Sequence, residues 1–121
     1  MKIYIAGKIT GDLNYKEKFR KAEEKLRSMG HSVMNPAWIV ASPEFDWKDY
    51  MFVSSAMQRV CEATVLLSDW FESKGAREEY QRARDKLKHR IYEITCVGNS
   101  LCERKIDMEK TVPPLSEFLQ E

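Results

Sequence analysis

The sequence predicts a single α/β domain: a doubly wound sheet of four or five parallel strands with helices on its faces. Three observations carry this. Residues 1–6, MKIYIA, are nearly all apolar, as in a central strand covered on both sides. A helical stripe and a second short strand follow by residue 34, the span of a strand–helix–strand crossover, which implies parallel pairing. The same alternation then repeats as far as residue 97.

Taken in order, the first strand ends at Gly7 and a short loop covers residues 7–13. Asn14 is placed to cap the first helix, with Glu17 in capping-box position. Phe19, Ala22, Leu26 and Met29 form its apolar stripe, and Gly30 closes it in the C′ position. Residues 31–34 form the second strand, stopped by Asn35-Pro36. Residues 35–47 read as an irregular loop carrying Pro36, Trp38, Pro43, Phe45 and Trp47; it is either a pocket wall or a loop folded onto the core. The second helix covers 48–60, with Tyr50, Val53, Met57 and Val60 as its core stripe. A wholly apolar strand, 63–67, precedes a loop in which Ser73 caps the third helix, whose stripe is Ala76, Tyr80, Ala83 and Leu87. Residues 90–97 are the fourth strand. Gly98-Asn99 marks a turn, 100–110 reads as helical, and Pro113-Pro114 breaks it. The whole is one Rossmann/flavodoxin-like domain over residues 1–121, with 98–121 an unassigned extension.

Composition narrows the function. The 121 residues suit one domain of about 150 residues or fewer, able to bury roughly 65% of its unfolded surface. Twenty Lys and Arg against nineteen Asp and Glu leave +1, which is no field for gripping a nucleic acid polymer or an anionic membrane. No apolar run approaches the roughly 18 residues of a membrane span, and the start lacks a signal-peptide core. Cys61, Cys96 and Cys102 show no metal spacing and read as free thiols, so a reducing, cytoplasmic location is expected. No His-rich metal cluster and no Ser/His/Asp arrangement is visible, and neither metal nor cofactor is expected.

In a doubly wound sheet ligands bind beyond the carboxyl ends of the strands, where strand order reverses. Three loops meet there if the first strand is central: 7–13, 35–47 and 68–75. The first, Gly7-Lys8-Ile9-Thr10-Gly11-Asp12, matches neither the dinucleotide fingerprint nor a P-loop. It is either a backbone cradle with one cation for a phosphate, or a plain tight connection. The third leads into Ser73-Lys74-Gly75-Ala76-Arg77-Glu78-Glu79. At about 100° per residue, Glu79 falls about 60° from Ala76, on the shoulder of the buried stripe, while Glu78 points to solvent. Glu79 is thus a carboxylate leaning towards the sheet near a helix start, whose dipole favours the ionised form. A charged, half-buried carboxylate there suits a nucleophile or cation stabiliser; capping and dipole work is the plainer alternative. His31 lies at the amino-end side of the sheet, away from the cleft. His89 ends a helix, where a cation is favourable. Asp46, Asp49, Asp69 and Glu72 lie near the cleft loops as caps or solvated residues.

The combination of Ile3-Tyr4-Ile5-Ala6-Gly7, Gly30-His31, Asn35-Pro36, Trp47, Tyr50-Met51, Leu66-Leu67, Trp70 and the segment from Ser73 to Glu79 resembles the nucleoside 2-deoxyribosyltransferase-like superfamily. Within it, the closer resemblance is to a small branch common in phage and bacterial genomes, over roughly residues 1–95. What this implies is N-glycosidic chemistry on nucleosides or nucleotides: transfer of deoxyribose between bases, or hydrolysis of 2′-deoxynucleoside 5′-monophosphates. By the same resemblance Glu79 is the nucleophile and Tyr4 hydrogen-bonds near it. Ser73 meets a 5′-phosphate, with Gly75 beside it, and Gly7, Lys8, Thr10 and Gly11 supply further phosphate contacts. A middle-helix aspartate of the relatives falls on Ser54, eight residues before Glu62, where a hydroxyl can hold a sugar hydroxyl or a water. The partner implied is a small nucleoside or nucleotide. A homodimer or larger homo-oligomer is also implied, with Tyr50, Met51, Met57 and residues 113–119 as interface candidates. The alternatives are a catalytically weak protein that binds or senses nucleotides, and an interaction domain without a ligand.

Overall fold

The computed structural model describes residues 1–97 and 100–105. Its strands are β1 (Lys2–Ala6), β2 (Ser32–Met34), β3 (Ala63–Leu67), β4 (Arg90–Val97) and β5 (Ser100–Lys105). Its helices are α1 (Tyr15–Ser28), α2 (Trp47–Arg59) and α3 (Lys74–Arg82), the last continued by a π turn at Ala83–Leu87. The sheet runs β2-β1-β3-β4-β5. β1 pairs in parallel with both β2 and β3, and β3 with β4. Strand order therefore reverses at β1, and a crevice opens beyond the carboxyl ends of β1 and β3.

Alternation along β1 divides the core. Ile3 and Ile5 face α1 with Phe19, Ala22, Leu26, Val65 and Leu67. Tyr4 and Ala6 face the other way, with Leu66, Trp70, Ala76 and Tyr80. Each fully buried large side chain contributes about 1.5–3 kcal/mol of transfer free energy, and α1 buries Phe19, Ala22 and Leu26. α1 ends in a Schellman motif: Gly30, at φ +93°, donates to the Arg27 carbonyl and His31 to that of Leu26.

Three expectations are corrected. Residues 100–105 are a strand rather than part of a helix, and β5 runs antiparallel to β4, with Val97 opposite Ser100. Two intervening residues are too few for a parallel crossover, so the strands pair antiparallel. The Asn14 side chain caps nothing; Asp12 instead accepts from the Asn14 N–H at 2.9 Å. The reciprocal capping box stands at α2, between Asp46 and Asp49 at 2.9–3.0 Å. The inward face of α2 is also rotated from the expected stripe. Ser54 and Gln58 are buried, while Val53 is 46% and Phe52 81% exposed. Residues 113–119 lie outside the described residues. Among those described, no helix is long and apolar enough to cross a membrane.

Candidate active site

The face of β1 that carries Tyr4 is the one α3 covers, so the phenol points at the second turn of that helix. There it donates a hydrogen bond to Glu79 Oε2, both groups being buried. Ser73, the N-cap of α3, accepts from the Ala76 N–H at 3.1 Å and fixes where that helix begins. Glu79 is 5% exposed, deeper than a shoulder position implies. Burial pushes its carboxyl up to about 7; the Tyr4 hydroxyl, the Arg82 charge and the Ser54 hydroxyl pull the other way, and Glu78 adds to the rise. The expectation of a dipole-stabilised anion is therefore revised. Glu79 is the sixth residue of α3, beyond the first turn where the dipole acts strongly. Burial and then the neighbouring carboxylate push the Tyr4 hydroxyl well above the usual tyrosine range, so it remains a donor.

Glu79 opens on a cavity of about 280 Å³. Its floor holds Gly7, Ile9 and Thr10 from the first loop, and Ser73, Gly75 and Glu79 from the start of α3. α2 contributes Trp47, Tyr50, Met51 and Ser54, while Tyr15, Pro36, Ile39 and Ala41 complete the wall. The cavity is mostly apolar and aromatic, with one carboxylate, which is the composition of a small-molecule site. Gly7 is required by close packing, since a Cβ there would stand 2.8 Å from Leu67. Among the described residues no group of three or more His, Cys, Asp and Glu could hold a metal.

Of the residues singled out by sequence, Glu79, Ser54, Gly7, Thr10, Ser73 and Gly75 meet at this cavity, and Tyr4 stands behind Glu79. Lys8 and Gly11 are not on its wall. Lys8 Nζ lies 3.8 Å from Glu72 Oε2, and its backbone N–H donates to Asp69 Oδ1 at 3.1 Å. Asp69 also pairs with Lys18, which holds Asp12 and donates to the Lys8 carbonyl at 2.8 Å. Of the aromatic loop, Pro36 and Trp47 reach the wall, whereas Trp38 and Phe45 are exposed. Tyr50 and Met51, expected at an interface, line the cavity, and the Tyr50 hydroxyl clasps Ser42 through its N–H (2.7 Å) and carbonyl (2.9 Å). Where a helix-end cation was expected, His89 turns inward: its Nδ1 is 2.9 Å from Thr64 Oγ1, and burial lowers its pKa. Sequence reasoning missed Gln58, whose signal was a polar residue one turn after Ser54 on the same helix face.

The fold is that of the nucleoside 2-deoxyribosyltransferases. The chain is similar to a 2-deoxyribosyltransferase from the psychrotolerant bacterium Bacillus psychrosaccharolyticus, at a TM-score of 0.63 and 19% identity, over 92% of this chain and 80% of that one. No curated protein matches the sequence. A family model described as a domain of unknown function, DUF4406, matches residues 1–92, and the chain belongs to that family.

Proposed function

We propose that this protein cleaves or transfers the N-glycosidic bond of (deoxy)nucleosides or nucleoside 5′-monophosphates, with Glu79 as its nucleophile. The observation that carries this is a buried carboxylate on the wall of a mostly apolar cavity, held by the Tyr4 hydroxyl and, among the described residues, in no ion pair. The fold likeness to a 2-deoxyribosyltransferase supports the same reading.

The chemistry is that of a retaining glycosidase. Ionised Glu79 forms a bond from one carboxylate oxygen to C1′ while the C1′–N bond breaks, its electron pair leaving with the base. The Tyr4 hydroxyl keeps the carboxylate aimed. The departing base takes its proton from water, because Ser54 is no acid near neutral pH and the aspartates of the neighbouring loops are engaged: Asp49 Oδ2 accepts the Asp46 N–H in the α2 capping box, and Asp69 is held by Lys18 and the Lys8 N–H. Water, or a second base, then attacks C1′ and releases Glu79. A positioned general acid is typically worth about 10²–10⁴-fold, so turnover is slow. Ser73, Thr10 and the backbone of the first loop favour a 5′-phosphorylated substrate, with Lys8 nearby.

The test is release of free base, by chromatography, from deoxynucleosides and their 5′-monophosphates at high enzyme concentration. Release that disappears in Glu79→Gln is the expected result; no release from any substrate, with the fold intact, overturns it. Ser54 on the cavity wall favours a second reading, a nucleotide-binding protein of weak activity. Thermal stabilisation by nucleotides without turnover, together with base release gained in Ser54→Asp, would establish that reading instead.

A further inference from the structure

A fully buried amide must use its polar atoms, and Gln58, with no exposed surface, uses them on two other elements, β3 and α3. Its Nε2 donates to Thr64 Oγ1 of β3 at 3.1 Å and to the Glu79 backbone carbonyl at 2.9 Å. Its Oε1 accepts from Arg82 Nη1 at 2.9 Å. Two of these three bonds bear on the same carboxylate. One holds the turn from which Glu79 projects. The other holds a guanidinium three residues further along α3, whose charge acts on Glu79.

We propose that Gln58 is a positioning residue for the Glu79 carboxylate, locking its helical turn and fixing the direction of the Arg82 side chain. For its catalytic meaning this rests on the reading of Glu79 as nucleophile; the linkage itself stands on the hydrogen bonds. The groups that face Glu79 are Tyr4 from β1, Ser54 from α2, and Arg82 and Glu78 from its own helix. Tyr4, Ser54 and Arg82 favour the anion, and Glu78 opposes it. Tyr4 and Ser54 act through hydroxyls anchored on their own elements. Arg82 is a long, half-exposed side chain, and Gln58 is what fixes its direction.

The experiment is titration of the Glu79 carboxyl in the full chain, by carbon-13 NMR of labelled glutamate, in wild type, Gln58→Met, Arg82→Met and the double variant. Gln58→Met preserves length and removes all three bonds. The expected result is a midpoint raised by about 0.5–1 pH unit in each single variant, and no further in the double, because the two side chains act as one. The acid limb of base release moves by the same amount, with little change at its alkaline plateau. An unmoved midpoint in Gln58→Met, or additive shifts in the double variant, overturns the proposal. Should Gln58→Met fail to fold, Arg82→Lys and Arg82→Met decide: a midpoint kept by lysine and raised by methionine supports it, and one unmoved by methionine overturns it. The titration reads out whether or not the wild type releases base, so failure here is distinct from failure of the proposed activity.

Discussion

Glu79 and Asp69 both lie beyond the carboxyl end of β3, one reached through a helix and the other directly from the strand, and their surroundings are opposite. Asp69 shares the Lys18 ammonium with Asp12 and accepts the Lys8 N–H, so its charge is matched where it stands. The Lys18 hydrogen bond holds Asp12 below the usual carboxylate range. Glu79 has the Tyr4 hydroxyl as its hydrogen-bond partner and feels the Arg82 charge, and burial lifts it to about 7. A carboxylate neutralised in place shapes a loop. A carboxylate left under-compensated beside a cavity is poised for chemistry.

Removing the under-compensated charge tests this contrast most strongly. In Glu79→Gln, base release falls by about 10⁴-fold or more. Stability moves the other way above neutral pH. The folded-state pKa of about 7 exceeds the ordinary 4.5, so ionising Glu79 costs the native state. That cost is absent below the unfolded pKa, grows as pH rises between the two values, and is complete above about 7, at about 3 kcal/mol. Urea unfolding should therefore find Glu79→Gln close to wild type at pH 4.5 and more stable at pH 8. A loss of stability at pH 8 would return Glu79 to the structural carboxylates.

Tyr4→Phe sharpens the same contrast by removing the buried donor. Glu79 then ionises at higher pH, and base release at pH 7 drops by about tenfold or more, recovering in part as pH rises. A uniform loss across the pH profile would mean that the hydroxyl acts on substrate instead of on Glu79. Lys18→Met tests the other side. It takes the shared ammonium from Asp12 and Asp69 and lowers the melting temperature, read by thermal unfolding. The Glu79 midpoint stays where it was, and movement of that midpoint would show that the two neighbourhoods are coupled.

Helical arithmetic held for Ala76 and Tyr80 on α3 and for Ala83 just beyond it, all buried with Glu79, whereas Leu87, at the end of the π turn, is only half-buried. The same arithmetic misread α2. That helix has apolar residues on several faces, and the one turned inward carries Ser54 and Gln58. Counting apolar residues cannot foresee this, because the partners that make Gln58 acceptable inside, Thr64, Arg82 and the Glu79 carbonyl, come from other elements. The last described strand was missed for a related reason. Residues 100–105 take their conformation from the edge of β4, and edge pairing leaves little trace in local periodicity.

The sequence by itself determined the order of strands and helices as far as residue 97 and the side of α3 on which Glu79 lies, because side-chain periodicity is a local property of helices and strands. Only the tertiary structure decided how deeply that carboxylate is buried and which hydroxyls reach it. It also decided that Asp69 and Asp12 are held by Lys18 while Glu79 is left to a cavity. Solvation and electrostatic pairing depend on groups far apart in the chain, and these come together only when the sheet and its helices close around them.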